Sequence, residues 1–570
     1  MKASNKNRII IYTTKAKCRD CYRCVRVCPV HAIRMESEQA QIVNEECISC
    51  GTCINECPQE AKSYATDYGV VLQMIEEGKK PVISIAPSYI TYFTEWQRKR
   101  LASALRLSGF SYIAETALAA QHSASATAQY VKDNLQQNHL CSACPAVVNY
   151  VKNHAPEYTE YLVPVASPMS AHAAMIKENF PNTPFVFAGP CVAKKEEADL
   201  HENKGMIDAV LTFEEMEELF KLRGITFDNC EESNFDMLGG NDASLFPLEG
   251  GLLKTAGMTT DYLNSNVIAV SGFSDINRSL KLLTQKGKRQ NIVEPLFCKH
   301  GCINGPFSSL ADDVFLNREH LIESALEKNA EEYDPNLKIP DLRVRFVKTF
   351  HNNNVISDAE IQNVLNSIGK YKPEDELNCM ACGYNSCREK AAAVARGMAV
   401  PEMCMPYMRQ LAERKFDTLI KYDPNGIVTL NGNLEITHIN DAFCKMFSCS
   451  DAIIGKHISY IVDPEPFEKL STGSDDLIKQ TSVFQNYNLV CHQMFYTLPD
   501  LEQYVGIFVD ITNFQLNSEK LDEIKSETLQ KANELIAHQI EMAQELAKFL
   551  GEHTSKGEAL LNQLIQSTKK

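Results

Sequence analysis

The chain is predicted to be multidomain, mixing α+β with α/β units. Three observations carry this prediction. Its 570 residues exceed what one hydrophobic core can serve and point to roughly three to five units. One cysteine spacing occurs twice within the first 68 residues. From about Val70 onward, short apolar β-branched runs alternate with amphipathic segments, which predicts α/β layering on parallel strands. The expected units are 1–68, 69–368, 369–412, 413–515 and 516–570.

Composition narrows the class. Hydrophobic residues make up 44% and charged residues 23%, as in an ordinary globular protein. A net charge of -16 repels polyanions on average, and no Lys/Arg run compensates, so no nucleic acid partner is expected. MKASNKNRIIIYTTKAKC lacks the apolar core of a signal peptide, and no stretch of about 18 apolar residues occurs. A cytoplasmic protein with no membrane segment is expected. The 21 cysteines then read as metal ligands rather than disulfides, because the cytosol keeps thiols reduced.

The repeat in 1–68 is Cys18-x2-Cys21-x2-Cys24-x3-Cys28-Pro29 and Cys47-x2-Cys50-x2-Cys53-x3-Cys57-Pro58. This is the bacterial ferredoxin run, in which three cysteines of one copy and the fourth of the other share each 4Fe-4S cubane. Cys18, Cys21, Cys24 and Cys57 would hold one cluster, and Cys47, Cys50, Cys53 and Cys28 the second. A zinc site seldom uses this spacing.

In the α/β segment, PVISIAP (81–87), TPFVFAGP (183–190) and NVIAVSG (266–272) read as buried strands. TEWQRKRLASALRLSG and TFEEMEELFKLRG read as helices ended by glycine. Farther on, Cys379-x2-Cys382-x4-Cys387-x16-Cys404, followed by Pro406, frames the helical REKAAAVARGMAV and predicts a small helical domain with one more 4Fe-4S cluster, zinc being the alternative. From about Glu413 to Phe514, NGIVTLNGNLEITHINDAFCKMF and YVGIFVDIT give strands, a short helix and turn signals at Asn425-Gly426 and Asn431-Gly432. This α+β stretch resembles a PAS sensor domain. Beyond it, Leu529, Ala532, Ile536, Ile540, Ala543, Ala547 and Leu550 recur at helical steps. They predict a C-terminal helix that either dimerises and relays a signal or packs back on the preceding domain.

Three loops in the middle segment carry cysteines in distinctive frames: LCSACP with Cys144, GPCVAKKEE with Cys191, and EPLFCKHGCINGP with Cys298 and Cys302. Over about 300 residues, and together with the ferredoxin repeat, they resemble the signature loops of the FeFe (iron-only) hydrogenases. The resemblance implies that Cys144, Cys191, Cys298 and Cys302 hold a cubane. It further implies that Cys302 bridges to a di-iron unit carrying CO, cyanide and a bridging dithiolate. Lys194 matches the family lysine that hydrogen-bonds a cyanide, as an ammonium in a dry site can. A surface charge beside Lys195 is its plainer reading.

The departures from the family are as informative. The proton-passing cysteine before the first ligand is Ala143, which carries no proton. Two relay carboxylates fall at Ser123 and Ala126, and a relay serine at Val163. Glu197, matching a family glutamate, survives. Two family methionines are replaced by Gly189 and Leu296, which alters packing around the di-iron unit. A positioned acid-base group supplies about 10²- to 10⁴-fold in rate, so a slow site is expected.

With the PAS-like segment, this pattern resembles the sensory-type hydrogenases and implies H2 detection, with electrons passing to the 4Fe-4S clusters and a signalling protein as output partner. Implied partners also include a redox protein such as ferredoxin, hydrogenase maturation proteins, and a second copy through the PAS domain and terminal helix. Two other functions remain open: a working ferredoxin-coupled hydrogenase, and an iron-sulfur scaffold lacking the di-iron unit. Cys141, Cys230, Cys444, Cys449 and Cys491 read as core, and His438, His457 and His492 as structural. His300 lies close enough in sequence to tune a cubane by a hydrogen bond.

Overall fold

The computed structural model describes residues 8–240, 242–261, 266–284, 290–308, 313–328, 337–348, 356–473, 476–498, 502–512 and 530–542. Residues 1–407 form one compact unit and residues 408–570 another.

In the first unit the cysteine repeat folds as two short antiparallel ribbons. Strand β1 (Ile11–Thr13), helix α1 (Arg23–Val27), β2 (Ile33–Glu36), β3 (Gln39–Ile42), α2 (Thr52–Asn55) and β4 (Lys62–Tyr64) follow in order, with β1 paired to β4 and β2 to β3. The two halves use equivalent devices. Ala32 N–H donates to Cys28 Sγ at 3.3 Å and Ala61 N–H to Cys57 Sγ at 3.2 Å, each four residues past its cysteine.

Helix α3 (Tyr68–Glu76) leads into the α/β core. Its elements are β5 (Val82–Ile85), α4 (Tyr89–Tyr92), α5 (Glu95–Ser108), β6 (Tyr112–Glu115), α6 (Ala117–Asp133), β7 (His139–Leu140), α7 (Pro145–His154), α8 (Pro168–Asn179), β8 (Phe185–Ala188), α9 (Ala193–Ala198), β9 (Ala209–Leu211), α10 (Phe213–Leu222), α11 (Gly251–Thr255), β10 (Val267–Ser271), α12 (Phe273–Leu283) and β11 (Ile292–Leu296). They build two parallel sheets, ordered β6-β5-β8-β9 and β10-β11-β7. The buried strands expected at 81–87 and 183–190 are β5 and β8, whereas the one expected at 266–272 is β10, which lies at the edge of its sheet and is only half-buried. Helices α5 and α10 start on Thr94 and Thr212, each closing a capping box with Gln97 or Glu215, and Gly109 ends α5 at φ 112.

After α13 (Val314–Glu327) and α14 (Asp358–Ser367), the third cysteine set sits around α15 (Cys387–Ala395). In sequence this segment lies beyond the α/β core, but in space it packs on the ferredoxin-like module. Tyr384 stacks on His31 with ring centroids 4.3 Å apart, and a Cβ added to Gly383 would meet Arg26 Cα at 2.6 Å. Helix α16 (Met405–Tyr422) is continuous, so the boundary expected at 412/413 falls inside a helix.

The second unit is a five-stranded antiparallel sheet. Strands β12 (Gly426–Leu430) and β13 (Ile436–Ile439), helices α17 (Asp441–Met446) and α18 (Glu465–Ser471), then β14 (Leu477–Phe484), β15 (Leu489–Leu498) and β16 (Gln503–Asp510) give the order β13-β12-β16-β15-β14. Asn431 makes the expected turn, its Oδ1 accepting from Asn433 and Glu435 N–H. Asn425-Gly426 does not: Gly426 opens β12 because a Cβ there would press on Met446 and Phe443. Phe443, Phe447, Phe467, Phe495 and Phe508 fill one side of the sheet. On the other, Ala532 of the helical stretch 530–542 packs toward Ile420, Ile427 and Val505, so this stretch lies back on its own domain. Leu529, Ala543, Ala547 and Leu550 lie outside the described residues.

Candidate metal centre

Parallel sheets open their crevices at the carboxyl ends of the strands, and the three signature loops leave those ends. Residues 141–144 follow β7, 189–192 follow β8 and 297–302 follow β11. They bring Cys144, Cys191, Cys298 and Cys302 to one cavity of about 110 Å3, also lined by Ala143, Lys194 and Glu294. Gly301, at φ 91, allows the last loop to approach: its Cβ would strike Pro247 O, which instead accepts Cys302 N–H at 2.7 Å. Ala86, Thr116, Met169, Phe187 and Leu296 also line this cavity.

The thiols are strongly desolvated. Burial pushes Cys191 up to about 12, with the neighbouring Cys144 adding to it, and pushes Cys302 up further. Thiols that cannot ionise alone in such a place become thiolates when metal supplies the compensating charge. The donor set therefore fits a cluster.

Lys194, on α9, is nearly buried and donates to Glu197 Oε2 at 2.7 Å and Ser167 Oγ at 3.0 Å. Glu197 accepts from Ser170 Oγ at 3.1 Å through its other oxygen. The surface-charge reading of Lys194 is thereby excluded. Its neighbour Lys195 points the opposite way and is fully buried between Glu215 (2.7 Å) and Asp67 (3.5 Å).

Ser123 and Val163, at positions the family resemblance gives to relay groups, are built into the fold. Ser123 donates to Ala166 O at 3.1 Å, Val163 is fully buried, and Ser142 Oγ donates to the carbonyls of Val163 and Val165. Gly189 has a local cause as well: a Cβ there would lie 2.8 Å from the Phe187 ring, which lines the cavity in its place.

The ferredoxin-like cysteines are drawn together across the two runs. Cys24 interacts with Cys21, Cys57 and Cys18, and Cys53 with Cys50, Cys28 and Cys47. The second set adjoins the main cavity, since Cys50 lines it and Gly51 (φ 81) leaves no room for a Cβ against Pro306. Cys379, Cys382, Cys387 and Cys404 surround a pocket of their own, with Lys390 buried beside them. Among the described residues no three His, Cys, Asp or Glu side chains converge closely enough for a single ion.

Of the remaining cysteines, Cys141, Cys230 and Cys491 are core, whereas Cys444 and Cys449 are half-buried and hydrogen-bonded to each other. His457 bonds Ser459, His492 bonds Thr481, and His438 lines a cavity on the outer face of the second unit's sheet. The His300 ring packs on Phe315 at 5.6 Å. Glu294 went unread in the sequence although it opens the EPLFCKHGC frame. It is buried, accepts from Leu252 and Leu253 N–H at 3.1 Å, and burial pushes its carboxyl up to about 7.

Residues 79–306 match the family model described as the iron only hydrogenase large subunit, C-terminal domain, residues 10–58 a 4Fe-4S dicluster domain, and residues 375–406 an Fe-S cluster family. The segment 79–306, preceded by the dicluster segment, is of an iron-only hydrogenase-like family. This hydrogenase-like protein is 25% identical over 255 residues to iron hydrogenase 1 of Clostridium pasteurianum, covering 36% of the chain and 44% of that enzyme's length. It is 23% identical over 329 residues to the cytosolic Fe-S cluster assembly factor oxy-4 of Caenorhabditis elegans, covering 47% of the chain and 72% of that factor. The solved FeFe-hydrogenase HydA1 of Chlamydomonas reinhardtii aligns with 49% of the hydrogenase-like chain and 91% of its own at 18% identity, with a TM-score of 0.37. No helix among the described residues is long and apolar enough to cross a membrane.

Proposed function

We propose that the chain is a low-turnover H2-responsive hydrogenase whose output is a signal rather than flux. One observation carries this reading: four cysteines and the nearly buried Lys194 line one cavity, together with Ala143 at the position the family resemblance gives to a proton-passing cysteine. A di-iron unit, when bound, supplies the heterolysis of H2. Cys144, Cys191, Cys298 and Cys302 would hold a cubane beside it. Lys194 offers an ammonium to an anionic ligand, and Glu197 and Ser167 fix its direction. The apolar walls exclude water, which strengthens that hydrogen bond. Ala143 supplies no proton, so turnover is slow, and a detector needs only that its redox state follow H2.

The adjacency of Cys50 to the cavity supports electron transfer into the Cys28, Cys47, Cys50 and Cys53 cluster. The His31–Tyr384 stack supports a further step toward the Cys379 cluster. The second unit is then a PAS-type output domain, whose equilibrium shifts only as far as cluster states bias it.

Infrared spectroscopy of in-vitro-matured protein under H2 and under argon tests this. Bands from CO and cyanide that shift under H2 are expected; bandless protein overturns the proposal. A second reading is favoured by the 72% coverage of oxy-4: an iron-sulfur assembly factor. It predicts full cubane iron and no such bands.

A further inference from the structure

A buried polar row beside the cavity is used by nothing described above. Thr116, which lines the cavity between β6 and α6, has Oγ1 2.6 Å from Ser84 Oγ on β5. Ser84 Oγ lies 2.7 Å from His172 Nδ1 on α8. Ser84 and His172 are fully buried, and Thr116 nearly so. His172 Nε2 has no partner among the described residues. Leaving such a nitrogen dry is destabilising, and an apolar residue at 172 would avoid that cost. On α6, which packs against α8, half-buried His122, whose Nε2 is itself shielded from solvent, acts electrostatically on His172.

We propose that Thr116, Ser84, His172 and His122 form a hydroxyl–imidazole proton path from the cavity toward the surface, in place of the route lost at Ala143, Ser123, Ala126 and Val163. The inference rests on the H2-handling reading, because only that chemistry delivers protons to the cavity. The step balances without a redox partner. A proton arriving on Thr116 Oγ1 displaces the hydroxyl hydrogen to Ser84. Ser84 passes its own to His172 Nδ1, and the Nε2 hydrogen leaves for His122, directly or through one water. The reverse sequence admits a proton.

Around the ring, β5 presents Ser84, β8 presents the Phe185 ring at 5.8 Å, and α6 presents His122. Burial, with His122 second, lowers His172 to about 4. The imidazole is therefore neutral at pH 7 and able to accept on one nitrogen while donating from the other.

The test uses the full chain in two states. In matured protein, H2/D2O exchange should fall by about 10²-fold in His172→Phe and Ser84→Ala with unchanged CO and cyanide bands, while Ser84→Thr, which keeps the hydroxyl, recovers most of it. Intact bands with unreduced exchange in both variants overturn the path. In protein carrying only oxidised cubanes, ring-nitrogen NMR should show the His172 N–H exchanging freely with solvent and its shift moving in His122→Gln. A protected N–H indifferent to His122→Gln overturns the path by itself. Bandless wild-type protein would instead remove the H2-handling reading and leave the NMR result to decide whether the row conducts.

Discussion

Replacing Lys195 by methionine keeps an unbranched side chain out to the ε position and deletes the charged Nζ. Lys195 is completely buried, with Nζ 2.7 Å from Glu215 and 3.5 Å from Asp67, the Val210 carbonyl as a further acceptor, and the Tyr64 ring 5.7 Å away. It ties residues of the ferredoxin-like module to β9 and α10. Removing one side of a buried pair costs about 3–5 kcal/mol, because the partner stays charged and dry. Here both partners keep other support. Asp67 retains Arg8 and Val210 N–H, and Glu215 retains the N–H groups of Asp67 and Thr212. The loss should therefore sit at the low end, about 3 kcal/mol. The first unit spans residues 1–407, and at about 2.1 cal/mol/K of unfolding entropy per residue each kcal/mol is worth about 1 °C, so calorimetry of the cluster-loaded protein should show this unit melting about 3–4 °C lower. Adding Glu215→Gln to Lys195→Met should recover part of that, since an amide needs no counter-charge. A drop of under about 2 °C in the single variant would refute the reasoning, because the carboxylates would then be rehydrated rather than stranded.

Ala143→Cys places a thiol on the cavity wall and is expected to raise hydrogen turnover; an unchanged rate would mean that the onward positions Ser123, Ala126 and Val163 limit it. Cys404→Ser should remove about four irons per chain while leaving the ferredoxin-like clusters, read by iron assay and electron paramagnetic resonance, and an unchanged iron content would rule out that cluster. Glu294 is a raised acid, so its contribution to stability is present below its ordinary 4.5 and is lost as pH rises through about 7. Relative to Glu294→Gln, the wild type should lose up to about 3 kcal/mol between pH 4.5 and 7; parallel denaturation curves for the two proteins across that window would contradict this.

The cysteine spacings, the strands at β5, β8 and β10 and the helices α5 and α10 were all legible in the sequence, because each is fixed by local chemistry. An amphipathic helix needs only apolar residues every three or four positions and a closing glycine, and a parallel strand needs only an apolar β-branched run; the capping boxes on Thr94 and Thr212 went unread. The identity of Ala143 was likewise readable, since the residues around it frame its position. Strands β14 and β15 went unread because β14 is largely exposed and lacks a clean apolar alternation. Asn425-Gly426 misled, because the turn propensity of that pair yielded to the packing of Met446 and Phe443 on Gly426.

The sequence by itself determined where thiols able to bind iron stand and that position 143 carries a methyl group unable to pass a proton, because side chains carry those capacities wherever they are placed. Only the tertiary structure decided the rest. It sent adjacent Lys194 and Lys195 to opposite fates, set the Cys379 group against His31, and joined Thr116, Ser84 and His172 from three separate elements. The physical reason is that hydrogen bonding and desolvation depend on distance in space, and no periodicity along the chain encodes which strand end will face which helix.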